Sequence, residues 1–256
     1  MTKRIRLRLL LVSLSVTLTL ATGRAFASQI AYEGFDYLPG LLNLQNGGIG
    51  FTGSWTADPG VMVVPPGLSS PFGLAPKGLE IGGGFNASRR LAAPLSQSEY
   101  WVSFQLQEGS PNDQVWLGLD VVPTSTPLIW FGRRLDFYFI ALGPSVVATC
   151  CVGSPLGVTD FMVARFRQVA PLITEVAVWL NTDNFALAPN LFALMTTVPF
   201  LELNMEVQPG LFADEVRIGT TAADVADVAN VPETGSLTLL ATGILGGIGV
   251  LRRKLF

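Results

Sequence analysis

The amino-acid sequence predicts an all-β protein built as a two-sheet antiparallel β-sandwich. Short runs of alternating apolar and polar residues recur along residues 28–225, and Gly, Pro, Asn and Asp separate them. No long stretch repeats its apolar residues at the helical spacing. These roughly 200 residues are enough for one hydrophobic core, so a second domain is not required.

The strand predictions rest on the two-residue period, which gives each strand one apolar face. Residues 30–37 form the first predicted strand and residues 216–219 the last. Between them lie four alternating runs whose apolar members are Tyr100, Val102, Phe104 and Leu106; Val115, Leu117, Leu119 and Val121; Val176, Val178 and Leu180; and Leu201, Leu203, Met205 and Val207. Central strands are predicted where both faces are apolar, at residues 137–142 and 161–166. Loops are predicted at residues 59–76 and 143–157.

The first 27 residues are predicted to be a signal peptide rather than part of the fold. A basic segment (Lys3, Arg4, Arg6 and Arg8) precedes the apolar residues 9–21, and Ala25-Phe26-Ala27 is a small-x-small cleavage pattern. The apolar segment is too short to span a bilayer. We therefore expect an exported protein whose sandwich occupies residues 28–225.

The charge distribution argues against several partners. Residues 28–233 carry eight basic residues against all 19 acidic ones, a formal charge of −11, although the whole chain has −3. This acidic surplus argues against nucleic acid and against anionic polymers as tight electrostatic partners.

Nucleophilic catalysis has few candidate residues in this chain. The absence of His excludes Ser-His-Asp and Cys-His mechanisms. The two cysteines, Cys150 and Cys151, are adjacent, so a strained vicinal disulfide, buried thiols and a link between chains all stay open. None of these interpretations implies catalysis.

Several segments, in order, resemble a domain found in exported bacterial proteins. They are residues 31–37 (AYEGFDY), 45–55 (QNGGIGFTGSW), 100–104 (YWVSF), 161–165 (FMVAR), 178–181 (VWLN) and 214–221 (DEVRIGTT), followed by residues 223–225 (ADV). This ordered set resembles the concanavalin-like (laminin-G-like) jelly-roll domain over about residues 30–225. The resemblance implies a jelly roll whose first and last strands are neighbours.

Carbohydrate binding is one hypothesis for the sandwich. Six residues lie opposite the apolar register of their strands or alongside it: Trp101, Trp116, Trp179, Gln105, Asp120 and Asn181. If these strands share one sheet, its outer face would offer indole planes to sugar C–H faces and polar groups to hydroxyls. The alternative is that the tryptophans pack beneath loops.

Catalysis by the sandwich is the competing hypothesis. A glycosidase needs two carboxylates that flank one glycosidic bond. The chain has no Glu-x-Asp-x-Glu run, and Glu202 and Glu206 share a strand face whose simplest interpretation is a solvated surface. We therefore expect a non-enzymatic protein.

A calcium site is a further expectation, because relatives in the resembling family often hold one ion with loop carboxylates. Asp36, Asp214 and Glu215 would be the ligands if the terminal strands pair, since Ca²⁺ takes several oxygen ligands. The alternative is that Asp214 starts a turn and Glu215 faces water.

The C-terminal residues form a predicted sorting tail. Residues 226–235 are a linker that ends in the motif Val231, Pro232, Glu233, Thr234 and Gly235. Residues 236–256 are a predicted transmembrane helix with a basic cytoplasmic stop at Arg252, Arg253 and Lys254. Such a tail predicts insertion in the inner membrane before processing.

The tail resembles the PEP-CTERM sorting signal, which implies an exosortase-type enzyme as the processing partner and extracellular polysaccharide in the surroundings. Thr234 departs from this pattern, because the family has a second Pro there. The same residue makes the motif similar to an LPxTG sortase signal with Val in place of Leu, so that alternative stays open. After processing we expect a structural or adhesive protein at the cell surface or in the extracellular matrix.

Overall fold

The protein is described by a computed structural model that covers residues 29–226 apart from 66, 70–79, 83–85, 110–113, 122–127 and 209. Within these residues the chain forms sixteen β-strands and one short α-helix. In chain order they are β1 (Gln29–Glu33), β2 (Gly40–Leu41), β3 (Phe51–Ala57), β4 (Met62–Val64), β5 (Glu80–Gly82), β6 (Asn86–Leu95), β7 (Glu99–Glu108), β8 (Gln114–Asp120), β9 (Ile129–Arg134), β10 (Phe137–Leu142), β11 (Ser145–Val152), β12 (Thr159–Ala170), β13 (Ile173–Leu180), β14 (Leu191–Thr196), β15 (Phe200–Val207), β16 (Leu211–Gly219) and α1 (Ala222–Val225). The all-β prediction is confirmed.

The strands form two antiparallel sheets. Sheet A has the order β14-β13-β12-β7-β16-β5-β4-β2, and β1 also pairs with β16. Sheet B has the order β11-β10-β9-β8-β15-β6-β3. The pairing of β1 with β16 confirms that the first and last described strands are neighbours, since Glu33 lies opposite Val216 and Ala31 opposite Ile218.

The core lies between the two sheets and follows the predicted two-residue period. Tyr100, Val102, Phe104 and Leu106 of β7 face it, and so do alternate residues of β8 and β13 and, in β15, Leu203, Met205 and Val207. The placement of Leu201 on this face was wrong, because the register of β15 with β6 shifts after Phe200, which lies in the core instead. The β10 and β12 strands are buried on both faces, as predicted, because smaller apolar clusters cover their outer sides. Burial of these apolar faces is the main stabilising term for a sandwich of this size.

Two predicted loops contain strands. Residues 62–64 within the predicted loop 59–76 form β4, and residues 145–152 within the predicted loop 143–157 form β11. Both predictions were wrong over these residues because flanking Gly and Pro residues dominated the pattern. The β11 strand lies at the edge of sheet B, where one neighbour is enough and a strict apolar alternation is not needed.

A bulge in β16 changes which residues face the core. Ala213 faces the core before the bulge and Val216 after it, an odd spacing that a regular strand cannot give. The register with β7 shifts between Asp214 and Arg217, and Glu215 has a φ of 53°. The extra residue of the bulge therefore resets the strand's two-residue period.

A buried ion pair connects the two sheets through Arg89 of β6 and Glu33 of β1. Arg89 Nη1 lies 2.7 Å from Glu33 Oε2, with side-chain exposures of 2% and 1%. The indole N–H of Trp55 and the hydroxyl of Tyr37 donate to the same oxygen at 3.0 and 2.7 Å. Burial and the neighbouring Glu33 raise the pKa of Tyr37 to about 12. Each polar group of this cluster therefore has a partner inside the sandwich.

A second cross-sheet cluster surrounds Arg133 of β9. Its guanidinium pairs with Glu108 of β7 and, at 3.4 Å, with Asp160 of β12. Asp160 also accepts hydrogen bonds from the Ser154 hydroxyl and from other neighbours. Burial, together with the hydrogen bond to Asp160, raises the pKa of Tyr138 to about 12. Inward-facing charges thus occur only where a partner from the opposite sheet meets them, among the residues that the structure covers.

The sequence-predicted ends of the chain lie outside the described residues. These are the signal peptide (residues 1–27), most of the linker and motif (residues 226–235) and the transmembrane helix (residues 236–256). Within the part of the chain that is described, no helix has the length and apolar composition needed to cross a membrane.

Candidate functional site

The outer face of sheet B combines aromatic and polar side chains and is the candidate site. The face is built by the residues of β8, β9 and β15 that point away from the core. Six of these residues, which we call the sheet B face, are Trp116, Asp120, Trp130, Glu202, Asn204 and Glu206. Strand register places them in rows, because Glu206 lies opposite Trp116, Asn204 opposite Gly118, and Glu202 opposite Asp120.

The aromatic half of the sheet B face is held in a fixed geometry. The rings of Trp116 and Trp130 have centroids 5.1 Å apart, and Phe139 packs edge-on against Trp130 at the same distance. Trp130 donates its indole N–H to the Gly143 carbonyl at 2.6 Å and is only half-buried. Gly132, opposite Trp116, leaves no room for a Cβ, which would collide with the Val115 carbonyl. The indole planes are therefore positioned by neighbours rather than free to rotate.

The polar half lies on β15 and the adjoining part of β8. Glu206 accepts hydrogen bonds from Gln114 Nε2 and Gln208 Nε2 at 2.6 and 2.7 Å, and it is half-buried. Asp120 and Glu202 are opposite one another and are 4% and 5% exposed. The sheet B face therefore places two carboxylates in neighbouring positions beside the aromatic half.

Two donors on the sheet B face lack hydrogen-bond acceptors within the described part of the chain. They are the indole Nε1 of Trp116 and the amide Nδ2 of Asn204, both buried. A buried donor without an acceptor costs about 1–3 kcal/mol. Such groups are uncommon in native proteins, and an acceptor brought by a ligand would satisfy them.

Trp101 and Trp179 lie on a different surface from Trp116. They belong to β7 and β13 and therefore to sheet A, whereas Trp116 belongs to sheet B. The single shared face considered from the sequence is not formed, because strand pairing between distant segments assigns these strands to opposite sheets. Trp101 and Trp179 stack at 5.5 Å and are 5% and 2% exposed, beneath Phe185 and the Val225 of α1.

The indole N–H groups of Trp101 and Trp179 and the Asn181 amide already have partners within the described residues. Trp101 donates to Glu99 at 3.0 Å and Trp179 to the Leu187 carbonyl at 2.9 Å. Asn181 accepts from the Phe161 amide and donates to Asp160, so it connects two strands. Gln105 is 2% exposed, in the centre of sheet A. Of the six residues considered for carbohydrate, only Trp116 and Asp120 lie on the sheet B face, and Trp130 joins them.

Trp130 was missed by the sequence reasoning. The signal is present in residues 128–134, where Ile129 and Phe131 alternate with Trp130 and Gly132. This run predicts a strand with its tryptophan opposite the apolar face.

The three residues considered for calcium have other partners. Glu215 accepts from the Tyr32 hydroxyl at 3.2 Å and pairs with Arg217 at 2.6 Å. Burial and the nearby Glu215 raise the pKa of Tyr32 far above its usual range. Asp214 accepts from two backbone amides, and Asp36 is exposed. No three His, Cys, Asp or Glu side chains in the described residues are placed to hold a metal ion, so calcium stays a prediction from the resemblance.

Cys150 and Cys151 form a vicinal disulfide at the end of β11. Among the three interpretations that the sequence left open, the structure has this one. Cys151 has a φ of 58° and is exposed, and Asn190 Nδ2 lies 3.9 Å from its sulfur.

Comparison with known proteins gives no family. No family model matches the chain. No curated protein matches it either.

Solved structures include similar folds at low identity. The exoplasmic/lumenal domain of VIP36, in a Ca²⁺/Man3GlcNAc-bound form, is 10% identical over 72% of this chain and 88% of that chain, with a TM-score of 0.40. The endo-β-1,4-glucuronan lyase from the fungus Trichoderma reesei is 13% identical over 76% of this chain and 96% of that chain, with a TM-score of 0.39. A Trypanosoma rangeli sialidase is 11% identical over 78% of this chain but only 32% of its own, with a TM-score of 0.43. Because these TM-scores lie below 0.5, functional inference rests on the contacts within this chain.

Proposed function

We propose that this chain is a carbohydrate-binding protein of the concanavalin-like jelly-roll type, without catalytic activity, and that the sheet B face is its binding site. The observation that carries the proposal is the placement of Trp116 and Trp130 beside Asn204 and Glu206 on one outer face. Indole planes pack against the C–H faces of sugars, and amide and carboxylate groups bond their hydroxyls.

Accessibility assigns different roles to these residues. Trp130 and Glu206 are half-buried, so a glycan chain contacts them first. Trp116 and Asn204 are 4% and 7% exposed and carry the donors that lack acceptors. A sugar oxygen that reaches either donor replaces a missing hydrogen bond, which favours the complex.

The negative charge of the chain favours neutral glycans over anionic ones. Residues 28–233 carry a formal charge of −11, which includes Asp120, Glu202 and Glu206 of the sheet B face. Two exposed arginines border these residues, Arg90 opposite Glu202 on β6 and Arg134 at the end of β9. The net negative charge of these residues as a whole repels an anionic polysaccharide, whereas a neutral one meets no such repulsion. The proposed ligand is therefore a neutral polysaccharide.

Affinity electrophoresis in gels that contain soluble neutral polysaccharides, such as laminarin, xylan or dextran, tests the proposal. Trp130→Ala removes the accessible indole, so retardation by the polysaccharide is expected to fall at least about tenfold, the loss of one good stacking contact. Phe192→Ala is the matched control, because Phe192 is an aromatic residue that is 50% exposed on sheet A. Equal retardation of the two variants and the unmodified chain would contradict the assignment of the sheet B face.

A polysaccharide-active enzyme is the second candidate function, and the pair Asp120 and Glu202 favours it. Two carboxylates on adjacent strands, directly opposite each other, are the minimum that glycoside hydrolysis requires. Reducing-end assays on the same polysaccharides test this candidate. Cleavage that disappears in Glu202→Gln but survives in Glu175→Gln, on sheet A, would replace binding with hydrolysis as the function.

Export and sorting complete the proposal. The signal peptide delivers the chain, and the tail at residues 231–256 holds it in the inner membrane until an exosortase-type enzyme releases it to the cell surface or the matrix. Mass spectrometry of the native mature C-terminus tests this step. A cut around Glu233 supports an exosortase, and a cut between Thr234 and Gly235 supports a sortase. An intact tail would mean that the protein stays anchored in the membrane.

A further inference from the structure

A cavity opens at one end of the sandwich, away from the sheet B face. It has a volume of about 190 Å³. Two connections between the sheets form its mouth: residues 96–98 join β6 to β7, and residues 197–199 join β14 to β15. The floor is made by core aromatics of sheet A. The cavity is therefore a product of the crossings between the sheets rather than of either face.

The floor of the cavity is rigid. Tyr100 of β7 and Phe166 of β12 are opposite one another, and their rings stack at 4.8 Å with an angle of 10° between planes. Phe200 packs edge-on against both rings, at 6.4 and 6.0 Å. This aromatic arrangement fixes the direction of the Tyr100 hydroxyl.

The Tyr100 hydroxyl has no hydrogen-bond partner among the described residues. Tyr100 is 4% exposed and lines the cavity, and none of the hydrogen bonds among the described residues involves its hydroxyl. Burial raises the pKa of Tyr100 well above its usual value of 10.0, so the hydroxyl keeps its proton and acts as a donor. The oxygen is accessible from the cavity, where water or a ligand can accept its hydrogen bond.

The lining of the cavity is mainly apolar, carries no charged side chain, and includes several hydroxyl and amide groups. Its polar side chains include the serines of residues 96–98, Gln97, Gln168, Thr174 and Thr197, and none of the lining residues is charged. The hydroxyls of Thr174 and Thr197 share a hydrogen bond of 2.9 Å, so this pair can redirect one proton to a ligand. Hydroxyl and amide groups without charge recognise neutral hydroxylated molecules and give no advantage to ions.

Size limits the ligand further. A water molecule needs about 10–15 Å³ of cavity volume, and pockets for larger organic ligands begin near about 300 Å³. The cavity lies between these limits. We propose that it binds one neutral hydroxylated unit, a monosaccharide or a short polyol, which accepts a hydrogen bond from the Tyr100 hydroxyl. This site is separate from the proposed polysaccharide site on the sheet B face.

Saturation-transfer NMR on the full-length protein, in a detergent without a sugar headgroup, provides the test. The probes are D-glucose, D-galactose, myo-inositol and glycerol, with D-glucuronate as the anionic comparison. At least one neutral probe is expected to show transfer and glucuronate none. Tyr100→Phe is expected to weaken binding about fivefold to tenfold, the usual loss for one hydrogen bond.

Two further variants keep the test decisive. Thr197→Val removes a half-buried hydroxyl of the lining and is expected to weaken binding by a similar factor, even if Tyr100→Phe alters the fold. Tyr138→Phe is the matched control, because Tyr138 is a buried tyrosine in the Asp160 cluster. Absence of transfer from every neutral probe overturns the proposal, and so does binding that Tyr100→Phe and Thr197→Val leave unchanged. Retardation by polysaccharide is measured in parallel and reports on the sheet B face alone.

Discussion

Replacement of Arg89 by Met is expected to destabilise the sandwich strongly, since it breaks the ion pair that joins the two sheets. Arg89 and Glu33 have side-chain exposures of 2% and 1% and lie 2.7 Å apart. Met conserves the aliphatic stem of arginine but leaves the Glu33 carboxylate buried without its cation. Removing one partner of a buried ion pair costs about 3–5 kcal/mol. Total stabilities are about 5–15 kcal/mol, so the loss is a large fraction of the whole.

The surroundings of the pair set the size of the effect. Glu33 retains hydrogen bonds from Trp55, from Tyr37 and from the Phe35 amide in the variant, which moderates the penalty. Arg89 also donates to the Gly53 carbonyl and to Asn46, and these contacts are lost as well. We therefore expect a loss of about 4 kcal/mol, near the middle of the range for buried pairs.

Urea unfolding followed by tryptophan fluorescence measures the change, with Arg167→Met as the control. Arg167 has a side-chain exposure of 45% and pairs with Glu175 on the surface of sheet A, so its loss is expected to cost under about 1 kcal/mol. The double variant Arg89→Met with Glu33→Gln removes the unpaired charge and keeps an acceptor for Trp55. It is expected to be more stable than Arg89→Met alone. A cost under about 1 kcal/mol for Arg89→Met, or a double variant that is less stable than the single one, would refute this reasoning.

Two other predictions concern pH and backbone conformation. The pKa values of Tyr37 and Tyr138 are raised to about 12, so their contribution to stability is complete below pH 10 and is lost as the pH rises toward 12. Tyrosinate absorbance is therefore expected to rise together with unfolding. Ionisation of these two tyrosines near pH 10 in the folded protein would contradict the prediction. Gly50→Ala should cost at least about twice as much as Gly53→Ala, for which positive φ alone predicts about 1 kcal/mol. Both glycines have positive φ, 78° and 75°, but of the two only a Cβ at Gly50 would collide with a neighbour, the Ile30 carbonyl. Equal melting temperatures for the two variants would count against this collision.

Strand faces were predictable from the sequence, because the two-residue period is a local property of the chain. The inward register of β7, from Tyr100 to Leu106, follows from alternation alone and is confirmed. The bulge at Glu215 was not predictable, since an extra residue in a strand is set by pairing with β7 and leaves no regular pattern. The period therefore fails where long-range pairing overrides it.

The candidate site could be predicted only in part for the same reason. Alternation places Trp101, Trp116 and Trp179 correctly on outer faces, but it carries no information about which sheet each strand joins. Sheet membership depends on contacts between distant segments. Inward charges such as Arg133 interrupt an apolar face, and their partners come from the opposite sheet. A single sequence gives no sign of such partners.

The adjacency of β1 and β16 has a mechanical consequence. The two strands are antiparallel, and Gln29 lies opposite Gly219, so the beginning of one strand is next to the end of the other. A pull applied simultaneously at these two residues would peel β1 from β16 one hydrogen-bonded pair at a time, a loading direction that resists little force. A pull applied between the sheet B face and Gly219 leaves that pair closed and spreads the load over the strands between them. A protein tethered through one end and holding a polymer on that face would be loaded in the stronger direction.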